Sequence, residues 1–164
     1  TLIPNDSDLS EKKVIYEKLN KEKEEAEHKK IMEELKNKEE VSVENISTFL
    51  DSSDSTYISI VVKNNTNKVV KKYAVGWMGF DESGYPIKTG WLLPDYLKEG
   101  FVEANIEPGM TYGSENCWRI SDDDIPEDYQ FLACVRRVEY HDGSQWDNPY
   151  YDYWVREYMQ KPLR

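Results

Sequence analysis

"TYISIVVKNNTNKVVKKYAVGWMGFDESGYPI", residues 56–87, decides the fold. It is rich in β-branched and aromatic residues, and the polar Asn64–Asn67 segment divides it into two runs that read as a strand pair. In the first run Ile58, Ile60 and Val62 recur with period two and line one face. In the second, Tyr73, Val75 and Trp77 alternate with Ala74, Met78 and Phe80, so both faces are apolar, as in a central strand covered on both sides. Asp81–Gly84 ends that strand in a turn.

Downstream, turn signals recur at short intervals. Residues 89–107, "TGWLLPDYLKEGFVEANIE", read as a long connection with a short helical turn. In "EPGM" Pro108 fixes φ and Gly109 accepts a positive φ, which suits a type II turn. "YGSENCWRI" and "FLACVRRVEY" read as further strands around the acidic loop "SDDDIPED", and Asp142-Gly143 is the strongest short hairpin signal. Asn148 precedes Pro149, a combination that places an N-cap ahead of a proline at the first helical position. Tyr150, Tyr151, Trp154, Val155 and Tyr158 then share one helical stripe, predicting a short amphipathic helix closing over a sheet.

Upstream, residues 1–40 hold 21 charged residues and a single aromatic, Tyr16. No Gly or Pro interrupts positions 9–40, and Ser7 or Asp8 offers an N-cap, so the segment reads as a long charged helix, a stalk, with a flexible charged linker as the alternative. "NKEKEEAEHKK", between Leu19 and Ile31, gives a core almost nothing to bury. The predicted division is therefore a helical segment over 1–40 and a β domain over 41–164.

The 164-residue chain has 21 Lys and Arg against 32 Asp and Glu, a net charge of −11. Such a surface repels nucleic-acid phosphates and anionic lipid headgroups, so nucleic-acid binding is excluded. No stretch of 18 apolar residues offers a membrane-spanning helix. The nucleophile elbow, phosphate loop, paired CxxC, HExxH and EF-hand patterns are absent, so the expectation is a non-enzymatic protein with no cofactor. The two histidines, His28 and His141, are too few for a multi-histidine metal site. Asp122, Asp123, Asp124, Glu127 and Asp128 lack calcium-loop spacing and read as a solvated loop. Cys117 and Cys134 both fall in predicted strands, and the spacing predicts a disulfide worth roughly 3 kcal/mol; two separately buried thiols are the alternative. The aromatics of the C-terminal third read mainly as core or lid. The alternative is an exposed platform, formed from Trp91, Trp146, Tyr150 and Tyr153, that stacks on a sugar.

"CVRRVEYHDGSQWDNPYYDYW" together with "VVKNNTNKVVKKYAVGWMGFDESGYPI" resembles an uncharacterised C-terminal domain of cell-surface lipoproteins of Gram-positive bacteria, over roughly residues 45–158. The resemblance implies an immunoglobulin-like β-sandwich. It also implies a signal peptide and lipidated cysteine upstream of Thr1, so that the domain stands on the extracellular face of the cell membrane and associates with the membrane only through that anchor. It carries over no catalytic residue. The functional expectation is a binding domain for an envelope component or a protein partner. The rivals are a carbohydrate-binding module, and a structural spacer that oligomerises through Val14, Leu19, Ile31 and Leu35.

Overall fold

The computed structural model describes residues 6–90, 92–121 and 124–163. The chain is mainly β, with two antiparallel sheets, a long N-terminal helix and a short C-terminal one. It divides into two compact units, the second beginning at Glu39.

Helix α1 (Asp6–Lys36) makes up most of the first unit. Ser7 and Asp8 fall within this span. Lys, Glu, Leu and Ala are strong helix formers, and no Gly or Pro interrupts them. The helix has no apolar face: Leu9, Val14, Ile15, Tyr16 and Leu19 are all exposed. Local pairs such as Lys21–Glu25, at 3.9 Å, supply only a few tenths of a kcal/mol each.

Among the described residues, the second unit contains nine strands. The first sheet comprises β1 (Val41–Leu50), β2 (Thr56–Asn64), β6 (Thr111–Tyr112) and β7 (Cys117–Ser121). β2 lies at its centre, with β1 on one edge and β6 and β7 sharing the other. The second sheet comprises β3 (Val70–Phe80), β4 (Pro86–Ile87), β5 (Lys98–Ile106), β8 (Gln130–Tyr140) and β9 (Gln145–Asp147), with β3 between β5 and β8 and β9 beyond β8. One apolar cluster joins the inner faces: Ile58, Ile60 and Val62 from the first sheet meet Tyr73, Val75, Trp77, Val135 and Val138 from the second. All but Val135 and Val138 are the alternating positions of residues 56–87, and Trp77 packs on Trp118 with ring centroids 5.1 Å apart. No described helix is long and apolar enough to cross a membrane.

The turns follow their local chemistry. Asn64, fully buried, donates to the Lys68 and Ile106 carbonyls at 2.7 and 2.9 Å and organises the connection from β2 to β3. Met110 N–H donates to Glu107 across Pro108-Gly109, and Gly109 has φ 76°. Gly143, at φ 85°, turns β8 into β9. Helix α2 (Pro149–Tyr158) starts where Asn148 Oδ1 accepts the Tyr150 N–H at 2.9 Å, with Pro149 in the first turn.

Two expectations are corrected. Residues 98–106, read as part of a connection, form strand β5. Its inward positions, Gly100, Val102, Ala104 and Ile106, include two of the smallest side chains, which hides the alternation. Gly100 is small because a Cβ there would overlap the Trp118 indole. The disulfide is not formed: both cysteines are unbridged thiols, Cys117 exposed and Cys134 buried. Cys117 lies on β7, which pairs with β2 in the first sheet. Cys134 lies on β8 in the second, in register with Gly76, with its sulfur among Asn148 and Glu39 on the outer face.

Candidate functional site

The outer face of the second sheet is built from cross-strand rows that the register defines. One row runs Glu99–Gly76–Cys134, the next Phe101–Ala74–Arg137–Asp147, and the third Glu103–Lys72–Glu139–Gln145. Helix α2 covers only the first. Tyr151 lies flat on Gly76, where a Cβ would overlap its hydroxyl, and that hydroxyl donates to Glu99 Oε1 at 2.9 Å. Arg136, the extra residue of a bulge in β8, reaches both Glu99 oxygens at 3.0 and 2.9 Å. Burial is the main cause pushing the Tyr151 hydroxyl well above its ordinary range, and its bond to Glu99 adds to the shift.

A buried polar knot holds the lid in place. Asn148 Nδ2 donates to Val135 O at 2.7 Å and Glu39 Oε1 at 2.8 Å, and Cys134 Sγ lies 3.6 Å away. Next along the chain, Glu40 accepts the Tyr140 hydroxyl at 2.5 Å. Burial, followed by this bond to a carboxylate, raises the Tyr140 pKa. Two adjacent glutamates thus pin the entry of the second unit to β8 and α2.

The other two rows remain open. Phe101 is 75% exposed. Ala74 beside it carries only a methyl group, so the sheet dips there into a depression of about 370 Å³ lined also by Lys72, Glu103, Arg137, Glu139 and Gln145. Ion pairs frame it: Lys72 with Glu103 at 3.6 Å, Lys71 with Glu139 at 3.0 Å, and Arg137 with Asp147. The hydrogen bond from Lys71 is the main cause lowering the Glu139 pKa, and the bond to Asp147 raises that of Arg137. The site is one exposed ring on a shallow floor within a rim of mixed charge. That combination suits contact with another macromolecule: an aromatic anchor, and a rim whose charges are already matched.

Among the described residues, the three rings of the alternative platform, Trp146, Tyr150 and Tyr153, do not form one exposed surface. Tyr150 is 7% exposed under α2, and burial raises its pKa. Trp146 is half-buried and packs on the inner core beside Val138. Tyr153 is half-buried with the Arg156 guanidinium 5.1 Å above its ring. Trp91, like Asp122 and Asp123, lies outside the described residues. Asp124, Glu127 and Asp128 are exposed, and His141 is an exposed turn residue whose N–H donates to Val69 O. Among the described residues, no group of three or more His, Cys, Asp or Glu could hold a metal ion. Phe101 and Ala74 were not singled out as site residues from sequence. The usable signal was the apolar Phe101 out of phase with Val102 and Ile106.

A structure of a hypothetical protein from Peptoclostridium difficile 630 superposes with a TM-score of 0.65 at 12% identity, covering 76% of this chain and 94% of that one. At that identity the likeness is one of fold alone. No curated protein matches the chain. Residues 57–161, most of the second unit from β2 onward, match the model of a family of unknown function, DUF5780. The chain therefore belongs to the DUF5780 family.

Proposed function

We propose that the chain is a non-enzymatic binding domain of the bacterial cell surface that engages a protein partner through the uncovered rows of its second sheet. In this reading the β domain is an immunoglobulin-like sandwich, α1 is a spacer, and a lipid anchor upstream of Thr1 holds the protein at the outer face of the membrane. The observation that carries it is Phe101: a large ring 75% exposed on the edge strand β5, at the open part of the sheet face and beside a rim of ion pairs. A monomer gains nothing from leaving that ring in water. Burying it against a partner is worth about 1.5–3 kcal/mol, or roughly 10- to 100-fold in affinity.

The test is binding of the purified chain to envelope extracts of the encoding bacterium, before and after protease treatment, with Phe101→Asp alongside. The expected result is saturable, protease-sensitive binding that Phe101→Asp loses while its melting temperature stays within a few degrees of the parent. Binding that survives protease, or that Phe101→Asp retains, overturns the proposal.

A further inference from the structure

The strand register sets the two ends of the second unit apart. Val41 pairs with Asn64, and Val70 with Tyr140, at the end where residues 39–41 enter. Leu50 pairs with Thr56, and Phe80 with Gln130, at the far end. There a groove of about 200 Å³ opens between the β1–β2 hairpin and residues 124–127. Its walls are Phe49 and Leu50 on one side and Ile125 and Pro126 on the other, with Asp124 and Glu127 beside them. Phe49 and Leu50 are each 45% exposed.

The groove is preformed. Phe49 stacks on Tyr57, ring centroids 5.7 Å apart and planes 14° apart. The opposite wall is tied down by Ile125 N–H, which donates to Thr56 Oγ1 at 3.1 Å. Its charge is also unlike that of the sheet face. Glu99, Glu103, Glu139 and Asp147 each face a Lys or Arg, whereas among the described residues neither Asp124 nor Glu127 forms an ion pair. Asp51 in the adjoining hairpin accepts the Ser53 and Ser55 N–H groups, which hold its pKa below the ordinary carboxylate value and keep it charged.

We propose that this groove docks a cationic, amphipathic segment of a partner protein. An apolar side chain of that segment sits between Phe49 and Leu50 on one wall and Ile125 and Pro126 on the other, and flanking lysines or arginines face Asp124 and Glu127. A rim of unmatched carboxylates attracts that partner and repels an anionic membrane. The site lies at the far end of the domain from the rows around Phe101 and does not depend on them.

The test uses the full chain and fluorescence anisotropy of a labelled short peptide alternating lysine and leucine, with an all-lysine peptide of equal length and anionic phospholipid vesicles as comparisons. Saturable binding is expected, weakened about tenfold or more both by Asp124→Asn with Glu127→Gln and by Leu50→Ser. The all-lysine peptide binds at least about tenfold more weakly. Glu103→Gln with Glu139→Gln, which removes the same charge from the sheet face, leaves binding unchanged, as does Phe101→Asp. All these positions are on the surface, and a thermal melt establishes that each variant is folded. Any of three results overturns the proposal: no saturable binding, equal weakening by the two charge-neutralised pairs, or tighter binding to the vesicles than to the peptide.

Discussion

Removing the Asn148 side chain tests whether the polar knot holds the lid on the sheet. In Asn148→Ala the Tyr150 N–H loses its cap, at about 1 kcal/mol. The Val135 carbonyl and the Glu39 carboxylate each lose a donor, and a buried group left unsatisfied costs about 1–3 kcal/mol. These losses share one side chain and do not simply add, so the expected total is about 3 kcal/mol, a large part of a domain's net stability. For a domain of this size that corresponds to a fall of about 10–15 °C in Tm. Thermal unfolding followed by tryptophan fluorescence reads it, and hydrogen exchange over α2 shows where the loss falls. Asn148→Ser keeps a cap acceptor but loses both donor bonds, so it should fall between parent and alanine variant. Asn148→Asp keeps the cap and sets a second carboxylate against Glu39. Its folded pKa is then raised, so the stability it retains is present at acid pH and lost as pH rises through that pKa. A Tm for Asn148→Ala within about 2 °C of the parent would refute the reasoning, because the cap alone accounts for more than that.

Gly76→Ala pushes a methyl group into the Tyr151 hydroxyl and should cost about 1–3 kcal/mol in chemical denaturation; Tyr151→Phe in the same chain should recover part of it, a non-additivity that a double-mutant cycle reads. Intact mass after alkylation should show one adduct on the native protein, at Cys117, and a second, at Cys134, only in denaturant; a chain that takes no label until reduced would contradict the unbridged thiols. Burial pushes the Tyr73 hydroxyl up to about 12, opposed by the Asn116 side chain. A folded pKa above the unfolded value near 10 means stability is complete below pH 10 and is lost as pH rises through 12. Tyr73→Phe should therefore flatten that alkaline decline in a pH series of melts.

Much of the architecture can be read from individual residues. The alternation across 56–87 marks β2 and β3 because both carry large apolar groups at period two. Helix α2 is legible from the Asn148 cap and Pro149, whose conformational demands are local. Strand β5 is not, because its inward positions at 100 and 104 are glycine and alanine, and its largest ring, Phe101, points out. Their sizes make sense only against Trp118 and the opposing sheet. The open face was hidden for the same reason: its rows assemble from β5, β3, β8 and β9, and no short stretch contains a row. Composition placed aromatics at Trp146, Tyr150 and Tyr153 without saying which way they face, and two cysteines in strands do not reveal that those strands belong to different sheets.

Site-specific photo-crosslinking in living cells tests the binding-face proposal most directly. Benzoylphenylalanine is introduced in turn at position 101, at position 145 in the third row, and at position 152 on the exposed side of α2. The expected result is one discrete protein adduct from positions 101 and 145 and none from 152. No adduct at 101, or the same adduct from all three positions, would contradict a partner seated on the uncovered rows.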